Sequence, residues 1–122
     1  MSYTFEYEDV VQVLKNIVHA RGEDYVYEQV NGNCVYFDTE KQQPSCLVGH
    51  FMYETGVLTS EDDFAEYEEE DADNLLYKLE KRDIAYFDAR SQSLLSWVQS
   101  QQDRGHTWGD SLSDGIDSVS HL

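Results

Sequence analysis

The chain has 122 residues, of which 25 are acidic and 8 are basic, giving a formal net charge of −17 at pH 7. This length predicts a single small acidic domain over residues 1–122, and the charge argues against direct binding to nucleic acid or anionic membranes, because both would repel it. The N-terminus lacks a basic start followed by an apolar run, and no stretch approaches the ~18 apolar residues of a membrane span, so we expect a protein of a reducing intracellular compartment.

The first element predicted is a helix near the N-terminus. Apolar residues between positions 10 and 18 recur three and four apart, which places them on one face of a helix. Thr4 is a candidate N-cap, and Gly22 follows His19 and Arg21 as a left-handed stop would.

A β-hairpin is predicted next. Residues 25–30 and 34–37 are rich in β-branched and aromatic side chains, and they flank Asn31-Gly32-Asn33, a sequence typical of a tight turn. Two strands alone are marginally stable, so we expect a helix to cover one face of the hairpin.

A second helix is predicted after the hairpin. Pro44 suits its first turn, Ser45 is the candidate cap, and the apolar residues of 47–52 form its buried face before Gly56 ends it. Gly49 within this helix costs about 1 kcal/mol relative to alanine, so we expect another backbone to approach closely there.

The next stretch is the most acidic part of the chain, with nine acidic residues among the thirteen from position 61 to 73. We call residues 61–73 the acidic segment. Thr59 or Ser60 is expected to cap a short helix in it, with Phe64 and Tyr67 as buried anchors and the acids on the solvated face. A further helix is expected to start at Asp73 or Asn74.

The C-terminal part predicts two more helices. Residues 84–87 read as a short extended connection, after which Asp88 opens a helix that Gly105 ends. Thr107 is the candidate cap of the last helix, which begins near Trp108.

These elements predict an α+β fold, mostly helical, with one two-stranded β-hairpin packed against about five helices. Apolar residues left over on the helix through residues 94–98 would also suit a homodimer contact.

Several short motifs resemble small uncharacterised accessory proteins encoded by bacteriophages of actinobacteria. They are Tyr25-Val26-Tyr27, Cys34-Val35-Tyr36, Pro44-Ser45-Cys46-Leu47-Val48-Gly49-His50, Gly56-Val57, Leu94-Leu95, Gln99, Gln102-Asp103, Gly105 and Thr107-Trp108-Gly109. The resemblance runs in patches from about Tyr25 onward and does not include the acidic segment. It implies a phage accessory protein acting in the cytoplasm of the bacterial host during takeover, and it carries no established activity.

Cys34, Cys46 and His50 are the candidate metal ligands. Cys46 is expected in the first turn of a helix, where the dipole lowers a thiol pKa, and His50 follows one turn later on the same face. With Cys34 they would offer three soft ligands to zinc, although the spacing matches no paired cysteine signature. Burial of the cysteines in the core, with no cofactor, is the favoured alternative. A small metal- or thiol-dependent enzyme centred on Cys46 and His50 is the competing function.

The acidic segment is the candidate partner-binding surface. Its acids are Glu61, Asp62, Asp63, Glu66, Glu68, Glu69, Glu70, Asp71 and Asp73. A dense anionic surface attracts a basic host or phage protein, and carboxylates along a helix can imitate the charge spacing of a DNA backbone, as an inhibitor or regulator of a DNA-binding protein would. Solubility alone is the competing explanation of the charge.

Overall fold

Helices make up most of the described chain, residues 2–27 and 35–120 of this computed structural model, so the fold is α+β and mostly helical, as the sequence predicts. In chain order the elements are β1 (Tyr3–Phe5), α1 (Tyr7–Arg21), β2 (Phe37–Asp38), β3 (Gln43–Pro44), α2 (Leu47–Thr55), α3 (Glu61–Ala65), α4 (Ala72–Lys81), β4 (Ala85–Phe87), α5 (Ala89–Asp103) and α6 (Trp108–Val119). None of the helices in these ranges combines the length and the apolar character that a membrane crossing requires.

The residues before α1 form a strand, so the prediction that Thr4 caps this helix is wrong. Thr4 lies in β1, which pairs in parallel with β4, and Phe5 stacks on Phe87 with ring centroids 5.1 Å apart. The helix begins after Glu6, whose N–H donates to the Asp9 carboxylate at 3.2 Å. The extended conformation expected for residues 84–87 is confirmed for β4, because β1 supplies its pairing partner.

The antiparallel pair of the described chain joins β2 to β3, with Phe37 opposite Pro44 and Asp38 opposite Gln43. The turn predicted at 31–33 lies outside the described residues, together with 28–30 and Cys34. Upstream of that gap, Val26 forms an isolated antiparallel bridge with Thr107. The segment predicted as the first hairpin strand therefore contacts the C-terminal part of the fold.

Helix α2 begins later than the sequence suggests. Pro44 lies in β3 and Cys46 is the N-cap, its Sγ accepting the Gly49 N–H at 3.4 Å. The close approach expected at Gly49 is confirmed, because a Cβ added there would lie 2.0 Å from the Tyr36 carbonyl oxygen. Gly56 ends the helix in the left-handed conformation with φ 85°.

The other helix starts follow the capping residues closely. Ser60, Asp88 and Thr107 cap α3, α5 and α6 as predicted, each accepting a backbone N–H three residues on. Helix α4 begins slightly earlier than expected because Asp71, rather than Asp73 or Asn74, is its cap.

Helices α5 and α6 pack against each other at close range. A Cβ on Gly115 of α6 would lie 2.8 Å from Leu94 Cδ1, so this glycine permits the contact. Leu94, Leu95 and Val98 are each fully buried in the fold, whereas Trp97 is 37% exposed. These three residues pack within the chain, and the homodimer contact stays a prediction.

Candidate functional site

The acidic segment is held to the core by two aromatic side chains. Phe64 and Tyr67 are almost completely buried, as predicted, and Phe64 stacks on Phe37 with ring centroids 5.1 Å apart. Between them the chain leaves α3 after only five residues and turns before α4 begins. The carboxylates consequently do not form the continuous row along one helix that imitation of a DNA backbone calls for.

Three of the nine acids stabilise helix starts and helix contacts. Asp63 accepts the Thr59 N–H at 3.1 Å, and this bond with those from Ser60 lowers the Asp63 pKa against the opposing effect of burial. Asp71 caps α4 by accepting the Asn74 N–H at 2.8 Å. Asp73 accepts a hydrogen bond from the Ser96 hydroxyl of α5.

Glu68 fixes the chain that leads into β2. Its two carboxylate oxygens accept the N–H groups of Tyr36 at 2.7 Å and Phe37 at 3.0 Å. Burial raises the pKa of Glu68 in spite of these bonds, so the carboxylate lies in a partly desolvated position. Glu68 therefore has a structural role.

Two more acids form ion pairs with basic residues of α4 and its C-terminus. Glu66 lies 2.6 Å from the Arg82 guanidinium, which also donates to the Tyr67 hydroxyl at 2.9 Å. Glu70 lies 2.5 Å from Lys78. Each pair neutralises one charge of the acidic segment locally.

The remaining acids of the segment are Glu61, Asp62 and Glu69, which we call the outer carboxylates. All three are exposed, and none makes a hydrogen bond or ion pair within the described chain. They are the members of the predicted partner-binding set that are free to meet a partner without disturbing the fold.

A cavity of about 450 Å³ lies between the acidic segment and α5. Asp71 and Asp73 line one side, and Gln99 and Asp103 of α5 line the other. The sequence separates these two groups by about thirty positions, so spacing alone gave no signal that Asp103 joins the acidic surface. The cavity is an additional candidate binding site.

Cys46 lies in the core. The residue has no exposed surface, and burial raises the pKa of its thiol to about 12, with hydrogen bonds from Gly49 and Gln99 opposing that effect. The prediction that the helix dipole lowers this pKa is wrong in direction, because loss of solvation outweighs the helix terminus.

The His50 side chain is hydrogen-bonded to Arg21. The Arg21 guanidinium lies 3.0 Å from the His50 Nε2 atom, and since arginine only donates, Nε2 is the acceptor of a neutral imidazole. Burial, and then the Arg21 charge, lower the His50 pKa to about 4. A zinc ion at Nε2 would compete with this bond and be repelled by the guanidinium.

The three predicted zinc ligands are thus not seen together. Cys34 lies outside the described residues, and within the described part of the chain no three His, Cys, Asp or Glu side chains are grouped as metal ligands. The zinc site stays a prediction, for which Cys46 is a poor ligand unless it leaves its buried, protonated state.

Residues near the junction of α5 and α6 form hydrogen bonds to other parts of the fold. Gln102 is buried and its Oε1 accepts the Leu47 N–H of α2 at 2.8 Å, while the backbone N–H of Trp108 donates to the Tyr25 carbonyl at 2.8 Å. Trp108 itself is fully buried. The first bond joins α2 to α5, and the second joins α6 to the segment after α1.

Comparisons of the chain with protein-family models, with curated proteins and with solved structures find no match.

Proposed function

We propose that this protein is a non-enzymatic binding protein that engages a basic protein through the acidic segment. The observation that supports it most directly is the position of the outer carboxylates, exposed and unpaired within the described chain beside acids that stabilise the fold. The net charge of −17 adds a long-range field that would speed the encounter with a cationic surface.

We further propose that the partner is a basic protein of a bacterial host or of the phage itself, met in the host cytoplasm; the resemblance to phage accessory proteins supports this choice. Regulation or inhibition of a DNA-binding protein remains a specific form of this proposal. It would depend on a cluster of carboxylates rather than on a helical row.

The competing proposal, an enzyme that depends on a metal or thiol at Cys46 and His50, has less support. The thiol is buried with a raised pKa, and the imidazole accepts a bond from Arg21. Nucleophilic catalysis needs a thiolate that substrate can reach.

The test uses a variant that removes charge without removing structural bonds. We would substitute Glu61→Gln, Asp62→Asn and Glu69→Gln together, and call this the outer variant. Neutralising the entire acidic segment is unsuitable, because it would also weaken the hydrogen bond between Glu68 and the Tyr36 N–H and remove the Glu66 and Glu70 ion pairs.

Both forms would be immobilised and exposed to lysate of an actinobacterial host at ionic strengths of about 0.05 M and 0.5 M, since screening weakens electrostatic binding. We expect a basic protein to bind the natural chain at low salt, to be released at high salt, and to bind the outer variant weakly. The control is a triple variant with the same charge change on α6, Asp110→Asn, Asp114→Asn and Asp117→Asn. Equal loss of binding in both variants would indicate a general charge effect and argue against this surface.

A further inference from the structure

The cavity between the acidic segment and α5 has a strongly acidic lining. Its walls carry Glu68, Glu70, Asp71, Asp73 and Asp103, and one basic residue, Arg104. The volume of about 450 Å³ is enough for a side chain to enter. Its ligand should therefore be cationic.

Three of these acids each have an oxygen atom free for a ligand. Asp71, Asp73 and Asp103 use Oδ1 in hydrogen bonds with the Asn74 N–H, the Ser96 hydroxyl and the Gln102 side-chain amide. Their Oδ2 atoms accept no hydrogen bond within the described chain. We call these three residues the pocket carboxylates.

Gln99 supplies an independent indication of a ligand. Gln99 is only 9% exposed and lines the cavity. Its Oε1 atom is buried and has no hydrogen-bond donor in the part of the chain that the structure describes. An amide oxygen left without a donor is costly when buried, so a ligand with N–H groups would gain by supplying one.

Several carboxylates of the cavity affect the same tyrosine side chain. Burial raises the pKa of the Tyr36 hydroxyl, and the charges of Asp71, Glu68 and Asp103 add to this rise. Tyr36 lines the cavity, so acids from the acidic segment and from α5 both contribute negative potential at its wall.

We propose that this cavity receives the guanidinium group of an arginine side chain on the basic partner, with the pocket carboxylates and the Gln99 amide oxygen as acceptors. The inference rests on the proposed function, since it names the side chain by which the partner is recognised. Guanidinium fits better than ammonium because the acceptors come from two elements, and a planar fork has more N–H donors with which to bridge them.

The test uses a second variant with substitutions Asp71→Asn, Asp73→Asn and Asp103→Asn, which we call the pocket variant. Asparagine keeps an Oδ1 acceptor for each internal bond and is as good an N-cap as aspartate, so the fold should persist. The outer variant is the matched control, because it loses the same number of charges nearby.

The probes are N-acetyl-arginine amide, its lysine analogue and its uncharged citrulline analogue, titrated into the natural chain labelled with ¹⁵N. We expect the arginine probe to shift the Gln99 side-chain amide signals and the backbone signals of the pocket carboxylates. Its affinity should fall about tenfold in the pocket variant and change less than about twofold in the outer variant, because charge-assisted hydrogen bonds act at short range. The citrulline probe should not bind.

Other results would overturn the proposal. These are absence of arginine binding by the natural chain, equal weakening in both variants, or lysine binding as tight as arginine binding. Gln99→Met, which keeps the side-chain length and removes the oxygen, should also weaken arginine binding, and unchanged affinity there would remove Gln99 from the site.

Partner capture separates this inference from the proposed function. If only the outer variant loses the captured protein, the acidic segment binds a partner and the arginine pocket is wrong. If the pocket variant loses the arginine probe while neither variant loses the captured protein, the pocket stands as an arginine site and the proposed function fails.

Discussion

Glu68 fixes the backbone of Tyr36, whose N–H it accepts at 2.7 Å. The Tyr36 carbonyl accepts the Ser45 N–H at 2.9 Å, and its hydroxyl donates to the Glu70 carbonyl at 2.7 Å. Through these hydrogen bonds the buried Tyr36 connects the acidic segment to the start of α2. The candidate binding surface is thereby attached to the core.

Replacement of Glu68 by alanine should destabilise the fold. The Tyr36 and Phe37 N–H groups would lose their acceptor, and the expected cost is about 2–3 kcal/mol in the free energy of unfolding. Urea denaturation followed by circular dichroism measures it. Glu69→Ala, which removes an outer carboxylate, should change stability by less than about 0.5 kcal/mol. Similar costs for the two substitutions would show that the Glu68 bonds contribute little.

Gly49→Ala should also destabilise the protein. Its Cβ would lie 2.0 Å from the Tyr36 carbonyl oxygen, so the backbone must move, and we expect a net cost of about 2 kcal/mol despite the better helix propensity of alanine. Thermal unfolding gives the comparison with Gly115→Ala, where the nearest atom is the end of the Leu94 side chain at 2.8 Å. The smaller cost is expected at Gly115, and the reverse order would contradict the close backbone contact at Gly49.

Cys46 should resist alkylation in the folded protein. Its thiol is buried with a pKa of about 12, so almost no reactive thiolate is present at pH 8. Treatment with iodoacetamide followed by peptide mapping distinguishes this cysteine from Cys34. We expect Cys46 to be modified only in denaturant, and modification at the rate of a free thiol in native buffer would contradict the buried site.

Stability should depend on pH through His50. Its folded pKa is about 4, whereas an unfolded histidine titrates near pH 6.5, so between these values the unfolded chain binds a proton that the folded chain does not. The contribution is fully present above the unfolded pKa and is lost as the pH falls toward 4.

The measurement is the urea midpoint from pH 7.5 to 4.5 for the natural chain and for His50→Gln. Glutamine still accepts from Arg21 but does not titrate, so the variant should take up about one proton fewer on unfolding over this range. His106→Gln, a substitution at an exposed position, is the control. Parallel curves for the natural chain and His50→Gln would show that His50 is not held neutral.

Much of the fold follows from local chemistry. The spacing of apolar residues through Val18 predicts α1, and Ser60, Asp88 and Thr107 predict helix starts, because a cap acts only on N–H groups a few residues away. Phe64 and Tyr67 are recognisable as buried anchors from their spacing within an otherwise acidic stretch.

The misplaced elements depend on distant partners. Thr4 lies in a strand because β4 pairs with β1 and sets Tyr86 opposite it, and Pro44 lies in β3 because β2 is opposite. The Cys46 pKa rises because the whole core surrounds the thiol, a loss of solvation that outweighs the helix terminus predicted from its neighbours.

The sequence by itself determined the helical periodicity, the capping residues and the excess of negative charge, since each is a property of residues close together or of their sum. Only the tertiary structure decided which carboxylates are available. Glu66 and Glu70 meet basic side chains, Glu68 meets the Tyr36 backbone, and Asp103 joins Asp71 and Asp73 around one cavity. The net charge follows from the sequence alone, but the pairing and solvation of each carboxylate depend on which groups folding brings together.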